Sequence, residues 1–476
     1  MAISFSPNPE AVARLPRAIA FRHDALPLSV SDGVLAVALA NPADADLLDL
    51  LRATTRLRIR PLPMARDTIR ERLRVAYSDS AHAAPADARD ASPAARALAA
   101  VFARAIASHA SDIHIEPHTA GGGRVRLRVD GILRETETIP AELFAQFTSR
   151  LKVIAGMDIS DRRQPQDGRC GIPYESREID ARVASVPTLD GERIVVRLLD
   201  RHAAAPDLAL LGMPAGILER YRAAIHAPWG FIVVSGPTGS GKTSTLYASL
   251  AELDARSRNV CSVEDPVEMR LGGVSQVQVN PRSGLTFPAV VRAFTRQDPN
   301  VVMVGEMRDA ETASVAVSAA LAGQVVFTTL HANDAPRTID RLVELGVARH
   351  SLAAALGAIV SQRLVRVLCE RCRVVEPIAP HLRDALQTER DVWYVAGGCR
   401  ACAGTGYLGR TGVYELIEID DAIRDAVACG ASSVHVAQRA ASAGFRPMAD
   451  DALAKVFAGV TSFAELTRTV AHRRSS

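Results

Sequence analysis

A short segment near the middle of the chain has the residue types and spacing that bind nucleotide phosphates. It follows the apolar run 231–235 and reads Gly236-Pro237-Thr238-Gly239-Ser240-Gly241-Lys242-Thr243. This sequence fits the pattern G-x-x-x-x-G-K-[ST] between a strand and a helix. Glycines let successive backbone N–H groups turn toward phosphate oxygens, and the start of the helix adds a favourable dipole. We therefore expect Lys242 to hold the β- and γ-phosphates of ATP, and Thr243 to hold Mg²⁺.

Carboxylates follow two further apolar runs that we predict to be buried strands. Glu306 comes soon after the run 301–304. Three more follow the run 260–263, namely Glu264, Asp265 and Glu268. Because the carboxyl ends of parallel strands meet at one edge of a sheet, these groups should lie beside the phosphates. There Glu306 can activate the attacking water, and the other three can hold Mg²⁺ or polarise that water, although such a cluster alone is more typical of a solvated loop.

A histidine stands at the end of a fourth apolar run. His331 directly follows the run 325–330. A histidine at such a position can be purely structural, but the neighbouring strand ends favour a contact with the γ-phosphate. We therefore interpret His331 as a sensor of the γ-phosphate.

Four of the seven cysteines form two C-x-x-C pairs, Cys369 with Cys372 and Cys399 with Cys402. Two such pairs supply four thiolates, which is the ligand set of a closed structural Zn²⁺ site. Four free thiols or a redox-active pair are the alternatives, and both are less typical of this spacing. The odd number of cysteines also argues against a disulfide framework.

The composition of the 476 residues is that of a globular protein with several domains, since 48% are hydrophobic and 23% are charged. Only 4% are aromatic and the net charge is +3, so neither stacking surface nor a basic patch indicates a nucleic-acid partner. The most apolar stretch, 315–330, is too short and too polar to span a membrane. No signal peptide is recognisable. We therefore expect a cytoplasmic protein whose attachment to a membrane depends on partners.

The pattern of apolar segments divides the chain into three α/β regions joined by two linkers. Residues 78–97 contain no large apolar side chain, so we predict a flexible linker there. A shorter hinge linker is predicted at 202–207. The three regions are therefore 1–77, 98–201 and 208–476, the last with a four-cysteine insertion at 366–410.

Hydrophobic periodicity predicts strands and helices in the first two regions. In the first, the predicted strands are 34–40 and 57–62, and the predicted helices are 43–54 and 67–77. In the second, the predicted helices are 98–109 and 142–155, and the predicted strands are 112–116, 123–129, 179–185 and 193–198. The first region contains no motif with an evident chemical role.

These motifs, in this order, resemble the secretion ATPase superfamily, the GspE/PilB/PilT group. VEDPVE at 263–268 resembles its aspartate box, RQDPNVVMVGEMRDAETA its Walker B region and TTLHANDA its histidine box. Upstream, ASDIHIEP at 110–117, QPQDGR and GERIVVRLLD resemble its PAS-like domain. The resemblance covers residues 95–476. It implies an α/β protein with a RecA-like P-loop NTPase domain, a preceding PAS-like domain, a small N-terminal domain, and assembly into a hexamer.

In this family ATP lies between the PAS-like and RecA-like domains, and arginines of the former reach the γ-phosphate. The matching positions are Arg169 and Arg182, with Arg193 and Arg197 as further candidates. Bidentate contact between guanidinium and phosphate makes this role chemically reasonable, and ion pairs on the surface are the alternative. Arg292 and Arg296 match another basic pair of the family, and their spacing predicts that both lie on one face of a helix.

The chain departs from the family pattern at three positions. Gln324 stands where a histidine usually precedes the strand of the histidine box. Ala332 replaces a common threonine, and Met269 replaces an aromatic residue. These changes can slow turnover, but the residues expected to hydrolyse ATP are all present.

The four-cysteine insertion is typical of the secretion and pilus assembly branches. Residues 1–77 lack the R-L-G repeat of modules that bind cyclic dinucleotides, and resemble instead the type II secretion domain that docks on a GspL-like inner-membrane protein. The resemblance therefore implies a cytoplasmic ATPase motor for type II secretion, which assembles the pseudopilus and contacts GspL-like and GspF-like partners. A type IV pilus assembly ATPase of the PilB kind is the first alternative. An ATP-binding structural or regulatory component with slow turnover is the second, and Gln324 is its only support.

Overall fold

The computed structural model describes residues 8–15, 17–31, 33–55, 57–76, 92–118, 121–175, 177–199 and 205–470. The chain divides into two compact units, 1–200 and 201–476. Among the residues described, no helix combines the length and the apolar character needed to cross a membrane.

The N-terminal region is a three-stranded sheet with four helices. Its elements are α1 Pro9–Arg14, α2 Arg17–Arg22, β1 Leu26–Ser31, β2 Val34–Leu39, α3 Ala45–Thr55, β3 Arg58–Pro63 and α4 Arg66–Ala76. Strand β2 pairs antiparallel with β1 and parallel with β3. Leu35, Leu51 and Leu73 are buried together in its core. Both predicted strands and both predicted helices are present. Helices α1 and α2, of six residues each, are too short to show a clear period in the sequence, and β1 is an additional strand whose Pro27 is atypical of strands.

The second region is a six-stranded antiparallel sheet with two helices. Its elements are α5 Pro93–Ala107, β4 Asp112–Pro117, β5 Gly123–Val129, β6 Ile132–Ile139, α6 Ala141–Ile154, β7 Gln166–Tyr174, β8 Arg177–Thr188 and β9 Gly191–Leu199. The strand order is β6-β5-β4-β9-β8-β7. Phe102 of α5 and Phe147 of α6 share a core with alternate residues of the strands, because successive side chains of a strand point to opposite faces. The predicted strands are confirmed, and β6 and β7, which are largely polar, are additional.

The start of α5 corrects the predicted linker. The Ser92 hydroxyl accepts a hydrogen bond from the N–H of Ala95 and caps a helix that begins at Pro93. Residues 93–97 are therefore helical, because alanine is the strongest helix former and Ala94 and Leu98 are buried. Residues 78–91 of the predicted linker lie outside the described residues, as do 202–204 of the predicted hinge.

The C-terminal region is built on a seven-stranded sheet in the order β12-β11-β13-β14-β10-β15-β18. Its strands are β10 Gly230–Ser235, β11 Val260–Glu264, β12 Val274–Gln278, β13 Val301–Val304, β14 Val325–Leu330, β15 Leu356–Leu368, β16 Val374–Pro377, β17 Val392–Val395 and β18 Tyr407–Glu418. Its helices are α7 Ala215–Ile225, α8 Lys242–Glu252, α9 Phe287–Phe294, α10 Ala310–Leu321, α11 Ala335–Glu344, α12 Arg349–Ala355, α13 Pro380–Leu386, α14 Asp421–Ala428, α15 Ser433–Ser442, α16 Met448–Phe457 and α17 Phe463–Thr469.

The strands of this sheet are parallel from β12 to β15, and β18 is antiparallel to β15. Every residue of β10, β11, β13 and β14 is buried, as expected for strands covered on both faces. One core contains Val233 and Val302, and the other contains Ile232 and Met303. The hairpin of β16 and β17 packs with α16 and α17 in a separate small core.

Candidate nucleotide and metal sites

The phosphate-binding loop has the backbone conformation that its glycines permit. Gly236 has φ +151°, and an added Cβ would lie 2.4 Å from the carbonyl oxygen of Gln362. Gly241 has φ +88° and precedes α8, which begins at Lys242. The Ser240 hydroxyl is buried and has no hydrogen-bond partner among the described residues. The loop therefore leaves a buried hydroxyl and a helix N-terminus available to phosphate oxygens.

The ammonium group of Lys242 is held by the loop itself. Its Nζ donates to the carbonyl oxygens of Gly236 at 2.8 Å and Pro237 at 2.9 Å. Burial lowers the pKa of Lys242 to about 8, and the charge of Glu306 acts in the opposite direction. The lysine is therefore desolvated and placed where the loop would surround a phosphate.

The predicted catalytic residues follow neighbouring strands. Glu264 ends β11, Glu306 follows β13, His331 follows β14, and the phosphate-binding loop follows β10. These four strands are adjacent and parallel. The structure thus brings Glu264, Glu306, His331 and the phosphate-binding loop to one edge of the sheet, where open α/β sheets bind ligands.

Glu264 is buried in a network of donors. The hydroxyl of Tyr247 donates to its Oε2, while Ser262 donates to its Oε1 at 2.6 Å and Gln276 donates at 3.2 Å. The N–H of Glu268 donates to the Tyr247 oxygen at 2.9 Å. The carboxylate therefore has a fixed orientation, because its position is determined by three side chains.

Asp265 and Glu306 are more accessible than Glu264. Asp265 is exposed directly after β11, in reach of solvent. Glu306 is half-buried and forms an ion pair with Arg308 at 2.5 Å.

His331 has a lowered pKa, first because its ring is partly buried and second because of the charge of Lys242. A neutral His331 at neutral pH can donate one hydrogen bond to a phosphate oxygen.

The candidate arginines of the second region form a row across its sheet. Arg169 of β7 is opposite Arg182 of β8, which is opposite Arg197 of β9. Arg197 pairs with Asp112 at 3.0 Å. Residues directly opposite each other on neighbouring strands share a face of the sheet, so this face carries three arginines in line.

Arg193 lies on the same sheet and is engaged by other groups. Its guanidinium is 3.2 Å from Glu116 and 3.3 Å from Nδ1 of His114. Glu116 also pairs with Arg124 and Arg126. Arg193 is thus part of a charged cluster within its own region.

Arg292 and Arg296 do not share a helix face as predicted. Helix α9 ends at Phe294, and Arg296 lies beyond it. Arg296 donates to the backbone carbonyl of Arg292 at 2.9 Å, and Arg292 pairs with Glu311 of α10 at 2.6 Å. Two arginines four positions apart share a helix face only if both are helical. The observed helix ends before Arg296, whose backbone N–H donates to the carbonyl of Ala293 in a turn.

Gln324 lies at the other end of β14 from His331. Its carbonyl accepts from the N–H of Gly230 at 3.1 Å, at the start of β10. The six residues of β14 lie between it and His331, so the two are about 23 Å apart at about 3.3 Å per residue. Gln324 therefore makes no contact with the phosphate-binding edge of its own sheet.

Gln362 is a site residue that the sequence motifs do not reveal. Its Nε2 donates to the carbonyl of Ser240 at 2.8 Å, and its Oε1 accepts from Thr245 at 2.8 Å. It therefore fixes the loop against the first turn of α8. The only signal in the sequence is a polar pair, Ser361-Gln362, within the apolar run that forms β15.

The two cysteine pairs converge. The sulfur atoms of Cys369, Cys372, Cys399 and Cys402 lie within 4.8 Å of one another. Three of the sulfur–sulfur distances are 3.7–3.9 Å, and a tetrahedral Zn²⁺ with bonds of about 2.3 Å requires about 3.8 Å. N–H groups of Cys399 and Gly406 donate to Cys402 and lower the pKa of its thiol. The arrangement is a four-cysteine metal-binding site.

Comparisons with known proteins agree with this architecture. A family model described as type II/IV secretion system protein matches residues 87–468, and one described as MshEN domain matches residues 3–83. The type II secretion system protein HxcR of Pseudomonas aeruginosa is 46% identical over 77% of this chain and 75% of its own length. The type IV pilus assembly ATPase PilB of Myxococcus xanthus is 36% identical over 99% of this chain and 88% of its own length.

Solved structures share the fold. The ATPase DotB of Legionella pneumophila has a TM-score of 0.58 and 24% identity, and covers 77% of this chain and 93% of its own. The pilus retraction motor PilT with bound ADP has a TM-score of 0.54 and 24% identity, and covers 77% of this chain and 95% of its own. The C-terminal region thus has a RecA-like ATPase fold. The chain belongs to the type II/IV secretion system protein family and is an ATP-hydrolysing secretion ATPase.

Proposed function

We propose that this protein is the ATPase motor of a type II secretion system. The observation that supports it best is the convergence of the phosphate-binding loop, Glu264, Glu306 and His331 at the ends of four adjacent strands. In this proposal Lys242 leaves the carbonyls of its own loop to bind the β- and γ-phosphates. Thr243, with Asp265 and Glu268, would hold Mg²⁺, which neutralises charge on the phosphates.

Hydrolysis requires a water molecule placed in line with the γ-phosphate. Glu306 is accessible and its carboxylate is engaged only by Arg308 among the described residues, so it can accept a proton from that water. Glu264 has most of its acceptor capacity taken by protein donors. We therefore assign proton transfer to Glu306 and the orientation of the loop after β11 to Glu264.

The second region would supply the remaining ligands of the γ-phosphate. Arg169 and Arg182 are opposite each other on β7 and β8, a spacing that lets two guanidinium groups contact one phosphate. Asp112 balances part of the charge of Arg197, and Arg193 is engaged by Glu116. We place Arg169 and Arg182 first because they match the arginine positions of the family and lie opposite each other on β7 and β8, and we treat Arg193 and Arg197 as supporting charges. A PAS-like identity of this region is part of the same proposal.

The motor would work as a hexamer on the cytoplasmic face of an inner membrane. Zn²⁺ in the four-cysteine site would hold the hairpin of β16 and β17 in place. Residues 1–77 would dock on a GspL-like platform protein, and the ring would act on a GspF-like membrane protein. The 46% identity with HxcR supports the type II branch.

A type IV pilus assembly ATPase is the second candidate, and a specific observation favours it. PilB of Myxococcus xanthus aligns with 99% of this chain. The type II secretion ATPase of Vibrio cholerae, at 44% identity, aligns with 76%. This pilus relative therefore aligns with more of the chain than this type II relative does.

Deletion of the gene in its own organism separates the two candidates. A type II motor predicts that secreted enzymes accumulate in the periplasm while surface pili remain. A pilus motor predicts the loss of pili with secretion intact. Complementation with wild-type protein and with Lys242→Ala tests whether ATP binding is required. Normal secretion and normal piliation in the deletion strain would refute both candidates.

A further inference from the structure

Two side chains connect the loop after His331 with the last helices of the chain. Glu415 of β18 is 3% exposed. Its Oε1 accepts from the N–H of Ala335 at 2.6 Å, at the start of α11. Its Oε2 accepts from the N–H of Met448 at 2.8 Å, at the start of α16. One carboxylate thus joins two helices that are distant in sequence.

Arg363 makes a second connection in the same direction. It lies on β15, next to β18 in the sheet. Its guanidinium donates to the carbonyl of Thr469, the last residue of α17, at 2.8 Å. It also donates to the carbonyl of Asn333 in the loop after His331 at 3.4 Å. The loop is therefore connected to α16 through Glu415 and to α17 through Arg363.

The same network reaches the strand that precedes the phosphate-binding loop. Thr338 of α11 donates to the hydroxyl of Ser235 at 2.8 Å, and Ser235 is hydrogen-bonded to Ser361. Ser361 is opposite Glu415 on the neighbouring strand. Ser235, Thr338 and Ser361 are completely buried. A polar path therefore runs from the end of β10 to α11 and, through Glu415, to α16.

A buried carboxylate is costly unless donors satisfy both of its oxygens. Burial raises the pKa of Glu415 to about 7, and the two backbone N–H groups act in the opposite direction. Both donors are at helix N-termini, where the helix dipole favours a negative charge. An apolar side chain would fill the same volume without fixing the distance between α11 and α16. The carboxylate therefore has a geometric effect that packing alone does not supply.

We propose that Glu415 and Arg363 are positioning residues that make α16 and α17 move together with the His331 loop when the γ-phosphate is bound or released. The inference depends on the proposed role of His331. Met448 and Val456 of α16 share a core with Trp393 of β17. A displacement of the loop would therefore be transmitted through α16 to the hairpin of β16 and β17, which the four cysteines flank.

Hydrogen exchange measured by mass spectrometry on the full-length protein tests the link. In the wild type, a non-hydrolysable ATP analogue should slow exchange at 331–335, 448–457 and 463–469 relative to ADP. In Glu415→Gln, an amide replaces one acceptor with a donor, and exchange at the start of α16 should rise about tenfold, the effect of losing one hydrogen bond. In this variant the exchange rate of α16 should no longer differ between the ATP analogue and ADP, while the exchange rate of 331–335 should still differ.

Asp451→Asn is the matched control. Asp451 holds α16 to β18 through the N–H of Tyr414 at 2.8 Å and pairs with Lys455, but it has no bond to the His331 loop. This variant should loosen α16 and keep its nucleotide response. Arg363→Ala is a second variant for the case that Glu415→Gln does not fold, and it should remove the response of 463–469 only.

The outcomes are distinguishable. An unchanged nucleotide response of α16 in Glu415→Gln, or of α17 in Arg363→Ala, would overturn the link. A wild-type protein in which 331–335 responds and 448–457 does not would overturn it as well. If 331–335 does not respond to nucleotide at all, both the sensing role of His331 and the link fail. Absence of ATP binding would instead refute the proposed motor function.

Discussion

The ammonium group of Lys242 lies 2.8 Å from the carbonyl oxygen of Gly236 and donates a hydrogen bond to it. The carbonyl is a weak partner for a buried charge, since it carries only a partial negative charge. Burial accordingly lowers the pKa of Lys242 to about 8. Phosphate oxygens carry full negative charge, and they would raise this pKa again when ATP binds.

The affinity for ATP should therefore depend on pH above 8. Below that pH the lysine is already protonated, and the affinity should be constant. Above it, binding must be accompanied by uptake of a proton, and the affinity should fall by about tenfold per pH unit. Titration calorimetry at pH 9 in two buffers with different ionisation enthalpies should detect the uptake. Lys242→Arg, which stays charged, should bind with a flat pH profile, and an equally flat profile in the wild type would contradict the prediction.

Replacement of Glu306 by glutamine should separate hydrolysis from binding. Because Glu306 is half-buried and pairs only with Arg308 among the described residues, the change should leave the melting temperature close to that of the wild type. Hydrolysis should fall by about a hundredfold or more, the scale of a lost general base. Steady-state phosphate release and equilibrium binding of a fluorescent ATP analogue measure the two effects.

Glu264→Gln is the informative comparison for Glu306→Gln. The Glu264 carboxylate accepts hydrogen bonds from Tyr247, Ser262 and Gln276. In Glu264→Gln the amide NH₂ group would face one of these donors and leave it without an acceptor. We therefore expect a loss of stability of about 1–3 kcal/mol, typical of an unsatisfied buried group, together with slower hydrolysis. If Glu306→Gln hydrolyses ATP at the wild-type rate, Glu306 is not the general base.

The purified protein should contain about one Zn²⁺ per chain, since the four sulfur atoms have the spacing of a closed tetrahedral site. Cys402→Ser should remove the metal and lower the melting temperature by about 5 °C or more. ADP affinity should change little, because the cysteines flank the hairpin of β16 and β17 rather than the phosphate-binding loop, and ADP lacks the γ-phosphate to which that hairpin would be linked. Cys429→Ser, an exposed cysteine outside the cluster, should keep the zinc. Elemental analysis without zinc in native protein would refute the site.

The residues that depend on local spacing could be predicted from the sequence. The loop 236–243 contains its whole pattern within eight residues, and the apolar runs before Glu264, Glu306 and His331 show which strands end there. Gln362 could not be predicted, because its contact with Ser240 joins residues 122 positions apart. The position of Gln324 could be predicted, because it precedes the apolar run that His331 follows. Its backbone contact with Gly230 could not, because that contact joins residues far apart in the sequence.

The boundaries of elements were less predictable for a related reason. Residues 93–97 have the composition of a linker, yet Ser92 caps a helix there whose Ala97 packs against a core. Composition alone cannot distinguish an alanine-rich helix from an alanine-rich linker when the packing surface lies elsewhere in the chain. The end of α9 before Arg296 has a similar origin, since the turn at its C-terminus depends on backbone geometry.

The last prediction concerns how hydrolysis becomes motion. Arg169 and Arg182 belong to one unit, and the phosphate-binding loop and Glu306 belong to the other. If both units hold the γ-phosphate, ATP should bring them closer together than ADP does, because a ligand shifts a conformational equilibrium by its differential affinity. One fluorescent label on each unit should report a shorter distance with an ATP analogue than with ADP. Arg182→Ala should abolish that difference and retain ADP binding, whereas Arg104→Ala, a surface arginine paired with Glu137, should preserve it. Equal distances in both nucleotide states of the wild type would defeat this mechanism even if the protein hydrolyses ATP.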